Sequence, residues 1–149
     1  MNWTEQYHML LGDAEILLNA YQNKVKNNEF YKEGQRVIDI CKEWTTNNEI
    51  TADDIYKTVY SEDGYDIAEF SYFEGITEVE SYMWVLLADI VCALCSLAYQ
   101  MEDQKCVPQV IECIIGEEIE AFVIFINQNM KVYENIEECV GYFGEKVCY

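Results

Sequence analysis

Between Met83 and Tyr99 the chain carries an almost unbroken apolar run, interrupted by one charge at Asp89 and bounded by Glu78, Glu80, Glu102 and Asp103. Seventeen residues fall short of the ~20 a helix needs to span a bilayer. Acidic flanks with only Lys105 nearby are also the reverse of the basic flanks that anchor a membrane segment. The run therefore predicts a helix that is apolar on most faces and belongs inside a helical protein. Thr77 with Glu80 forms a capping box that sets its start, and its end is expected near Gln100.

The rest of the chain follows the same period. Tyr7, Leu10, Leu11, Ala14, Leu17, Leu18, Tyr21 and Val25 recur at three and four, as on one face of a helix capped by Asn2 with Glu5. Phe30, Gly34, Val37, Ile38, Cys41 and Trp44 give a second stripe, from about Glu29 to Trp44. Thr51 opens a short third helix, with Asp53 and Asp54 in its first turn and Ile55, Val59 and either Tyr56 or Tyr60 facing inward. Beyond the apolar run, Pro108 suits a helix start ahead of Val110, Ile111, Ile114 and Ile115. Ile119, Phe122, Val123 and Ile126 continue as helix to about Met130, because the acids and the spacing outweigh the strand-like composition of Phe122–Ile126. Ile136, Cys139, Val140, Phe143 and Val147 mark a last helix. The expected fold is all-α: residues 1–149 form a single domain, an antiparallel array of six to seven helices around a central apolar helix. At 149 residues with 51% hydrophobic content, the chain can fill one core and is not a disordered polyanion.

The charge balance removes several function classes. There are 28 acids against 9 bases, a net charge of −19. Direct binding to nucleic acid or to an anionic membrane is excluded as a reading, because both depend on Lys and Arg. The field of such a chain attracts cations, whether ions or a basic macromolecule. The segment Met1-Asn2-Trp3-Thr4-Glu5 lacks the basic region and apolar core of a secretory signal. Seven cysteines, mostly among apolar residues, fit reduced structural thiols, so a cytoplasmic location is expected.

Catalytic patterns are missing. The sequence has no G-x-S-x-G, no G-x-x-x-x-G-K-[ST] and no G-x-G-x-x-G. Its only histidine, His8, has no nucleophile beside it and reads as a partly exposed surface residue. Cys92-Ala93-Leu94-Cys95 lies deep in the apolar helix, where a redox pair would lack the exposed helix N-terminus that activates it. Cys106 and Cys113 do not complete a zinc spacing, Glu-x-x-His is absent, and Asp63-Gly64-Tyr65-Asp66 fails the calcium-loop pattern. No catalytic residue, metal or cofactor is therefore assigned. Asp89 is expected to face a groove or pair with a Lys or Tyr; a functional carboxyl is the sharper reading.

The densest feature is acidic and aromatic. From Glu43 to Glu80 there are 11 acids and one base, Lys57, interleaved with Tyr and Phe. Ser61–Ile76 keeps no helical stripe and is expected to be a long loop holding a short strand or turn of helix at most, the kind of segment that often carries function. Such a composition suits a solvated face with rings tucked into the core. It equally suits an interface in which rings anchor and carboxylates meet Arg and Lys. The candidate partner-binding residues are Glu62, Asp63, Tyr65, Asp66, Glu69, Phe70, Tyr72, Phe73 and Glu74.

In size, charge and helical layout, and in the helix Tyr82-Met83-Trp84-Val85-Leu86-Leu87-Ala88-Asp89 behind an acidic aromatic loop, the chain resembles the immunity proteins of bacterial polymorphic-toxin and contact-dependent growth inhibition systems. The resemblance implies a non-enzymatic inhibitor that plugs the cleft of a cognate basic toxin, with a nuclease (an EndoU-type or other RNase, or a DNase) the expected partner. Two other readings use the same charge: a nucleic-acid mimic from a phage or mobile element, and an adaptor for a basic peptide.

Overall fold

Each of the first four helices begins where a side-chain oxygen satisfies amides its first turn would otherwise leave free. Asn2 accepts from the Glu5 amide at 2.8 Å and opens α1 (Trp3–Ala20). Asn27 accepts from Glu29 and Phe30 and opens α2 (Asn28–Glu43). Thr51 and Asp54 cap each other reciprocally at α3 (Ala52–Val59), the Thr51 amide donating to Asp54 at 2.9 Å. Thr77 accepts from Glu80 at 3.1 Å and opens α4 (Glu78–Met101). A short 3-10 turn, Glu69–Tyr72, precedes α4, and α5 (Glu117–Val132) comes after it. The computed structural model describes residues 1–22, 25, 27–60, 66–102, 108, 111, 117–132, 138 and 140; among these there are five α-helices and no strand.

Burial tracks the stripes. Tyr7, Leu10, Leu11, Ala14, Leu17, Leu18, Tyr21 and Val25 are all buried, as are Val37, Ile38 and Cys41 of α2. Helix α4 packs against α1, α3, the 3-10 turn and α2, while α5 packs against α1. One cluster of buried side chains draws on every one of these elements. At 24 residues α4 is long and apolar enough to cross a membrane by length and composition, but 72% of its most apolar window is buried inside the protein. Its partners are the stripes of this chain's own helices, which explains a helix apolar on most faces without a bilayer.

Gly34 decides how closely α2 reaches the others. A Cβ there would lie 3.1 Å from the Trp84 ring and 3.3 Å from Leu18. The missing side chain lets the α2 backbone close over Trp84, which is fully buried and contributes on the order of 1.5–3 kcal/mol by burial alone. In α3, Ile55 and Val59 turn inward as expected, Tyr56 is half-buried, and Tyr60 is 48% exposed with its ring stacked on Tyr56. The expected helix at 136–147 lies outside the described residues apart from positions 138 and 140, and so does most of the segment after Pro108.

Candidate partner-binding surface

The 3-10 turn is a sorting device for rings. Side chains three apart eclipse each other in this geometry, so Phe70 and Phe73 share one side and Tyr72 takes another. Phe70 goes in: it is 3% exposed, stacks on Phe30 at 4.0 Å between centroids, and meets Trp84 edge-on at 5.0 Å. Phe73 joins it, half-buried and edge-on to Phe30 at 4.9 Å. Tyr72 goes out and is 86% exposed.

Short polar contacts hold the turn in place. Asp66 is buried, and its Oδ1 accepts from the Ala68 amide at 3.1 Å and the Glu69 amide at 3.3 Å. The Ser81 hydroxyl of α4 donates to the Ser71 carbonyl at 2.9 Å, tying turn to helix. Gly75, with φ +89°, then reverses the chain toward Thr77 in a conformation that L side chains rarely adopt.

The outcome for the sequence-derived site is mixed. Glu69, Tyr72, Phe73 and Glu74 together line a shallow depression of about 400 Å³. No cation lies within 4 Å of Glu69 or Glu74 among the described residues. Asp66 and Phe70 instead face inward, the first capping the turn and the second in the core, so neither is presented by this surface. Glu62, Asp63 and Tyr65 lie outside the described residues. Other acids of the Glu43–Glu80 run also have internal tasks: Asp53 accepts from the Tyr99 hydroxyl, Asp54 caps α3, and Glu80 is buried, accepting from the Trp84 indole at 3.4 Å.

Asp89 is half-buried on α4 and pairs with no cation among the described residues. Burial alone pushes its carboxyl up to about 6. Burial likewise pushes the Cys41 and Cys92 thiols up to about 12, the opposite of what a reactive thiolate needs. Among the described residues no group of three His, Cys, Asp or Glu side chains is arranged to hold a metal.

A second concavity, about 430 Å³, opens at the far end of α4, where Tyr7 and His8 of α1, Trp44 and Ile50 of the α2–α3 connection, and Met101 and Glu102 meet. Glu102 Oε2 accepts from the Trp44 indole N–H at 2.6 Å and from the Ala52 amide at 2.8 Å. Sequence reasoning did not single out Glu102, because those partners stand 58 and 50 positions away.

Against known families the chain gives a direct result: the model for Immunity protein Imm6 matches residues 5–135, a span that covers four of the helices seen among the described residues and all but the first two residues of α1. The chain belongs to the Imm6 immunity protein family. No curated protein and no solved structure matches it. Membership makes a toxin the partner of this Imm6 protein and directs attention to its exposed surface rather than to a catalytic centre.

Proposed function

We propose that this Imm6 protein binds and neutralises a basic nuclease toxin by covering the cleft in which nucleic acid would lie, without chemistry of its own. The contact is made by Tyr72, which enters the cleft, by the outer edge of the half-buried Phe73 at its base, and by Glu69 and Glu74, which take the places of phosphates. Glu62, Asp63 and Tyr65, which lie outside the described residues, are further contact residues on sequence grounds alone. The observation that carries the reading is Tyr72, an aromatic ring 86% exposed at the edge of a depression flanked by two carboxylates that have no cation of their own among the described residues. Fully exposed rings beside unpaired charge do little for a fold, but they are typical anchors of an interface. The net charge of −19 adds steering, which raises encounter rates by ~10–10³ at low salt. The immunity protein acts in the bacterial cytoplasm, as part of a polymorphic-toxin or contact-dependent growth inhibition system.

The test is to mix the protein with the nuclease domain encoded by the neighbouring toxin gene, then measure binding and nucleic-acid cleavage across a salt series. Stoichiometric inhibition, with association slowing as salt rises, is the expected result. Absence of binding at low salt contradicts the reading.

A further inference from the structure

Glu102 sits at an electrostatically awkward place. It is the residue that ends α4, where the helix dipole is negative and a carboxylate is disfavoured. The Trp44 indole and the Ala52 amide, at the positive start of α3, hold its Oε2. No hydrogen bond or ion pair engages its Oε1 among the described residues. The carboxylate therefore stands at the wall of a preformed cavity with one oxygen open and the negative end of α4 behind it. Tyr7 lies under Trp44, ring centroids 4.9 Å apart, and both rings line the same space. Ile50 and Met101 supply apolar wall.

A flat cation with an apolar stem meets each of these demands: its plane can lie against an aromatic face, its N–H groups can reach the open oxygen, and its methylenes can rest on Ile50 and Met101. A lysine ammonium offers charge without the plane. We infer that this cavity is a receptor for an arginine side chain of a basic protein partner. It lies beyond the Tyr72 surface: the 3-10 turn packs on α4 at Ser81 and Trp84, so the two sites stand roughly 30 Å apart along the helix axis at ~1.5 Å per residue. Identifying the donor of the arginine with the toxin rests on the proposed inhibitory function; the preference of the cavity for a guanidinium does not.

The experiment titrates N-acetyl-arginine amide into the full chain while following the indole N–H resonance of Trp44. N-acetyl-citrulline amide, its neutral isostere, is the comparison ligand. The expected result is a saturable shift of Trp44 with the arginine amide and binding at least about tenfold weaker for the citrulline amide. Glu102→Gln keeps an acceptor for Trp44 and Ala52 but removes the charge, and is expected to abolish that difference. Should Glu102→Gln not fold, the two ligands on the unsubstituted protein decide the matter alone. Equal binding of both amides, or no shift of Trp44 with either, overturns the proposal. A protein that inhibits the toxin but ignores the arginine amide refutes the cavity assignment only; one that takes up the arginine amide but binds no toxin refutes the toxin surface only.

Discussion

The two ends of α4 use their carboxylates in opposite ways. At the start, Glu69 and Glu74 stand around Tyr72 with no cation among the described residues to meet them. At the finish, Glu102 is bound on one oxygen by two N–H donors from different parts of the chain. The contrast separates acids that build the fold from acids left over by it. In a chain this rich in like charge, every carboxylate without an internal partner adds self-repulsion to the free protein. A cationic partner relieves that repulsion and stabilises the complex by mass action.

The largest expected effect breaks the comparison at its outer end. Combining Glu69→Gln, Tyr72→Ala and Glu74→Gln should weaken the toxin complex about 10³-fold, ~4 kcal/mol, as removal of an interface anchor with its flanking charges does; a binding isotherm at fixed salt measures it. Next comes the inner end: Glu102→Ala strands the Trp44 and Ala52 donors and should cost about 3 kcal/mol in chemical denaturation. Asp89, between the two ends, ranks third. Its carboxyl is raised in the fold, so the folded state prefers the protonated form, and a penalty sets in as pH rises from about 4 to about 6 and is complete above that. Asp89→Asn should therefore stabilise the protein by about 2 kcal/mol at pH 7 and by nothing at pH 3; paired melts at the two pH values check this. The smallest effect is on stability at the outer end: Tyr72→Ala alone should stay within about 0.5 kcal/mol of the parent by denaturation, because the ring touches little of its own chain.

Where burial is periodic, the fold was legible. The stripe from Tyr7 to Val25 and the apolar run ending near Tyr99 report burial directly, and Asn2, Thr51 and Thr77 mark helix starts through local hydrogen bonds. The site was legible only in part. Nothing local distinguishes Phe70 from Tyr72. Their opposite fates depend on the three-residue period of a 3-10 turn and on Phe30, which reaches Phe70 from another helix. Asp66 looked like one more free acid because its work is to cap that same turn. Glu102 was invisible for the complementary reason: its meaning comes from long-range partners rather than neighbours.

Amide hydrogen exchange on the complex with the cognate toxin, against the free protein, tests the central claim most directly. The account predicts that slowed exchange concentrates on the residues around Tyr72, from Glu69 to Ile76. Unchanged exchange there, with protection confined to the outer faces of α2 and α5, would contradict it.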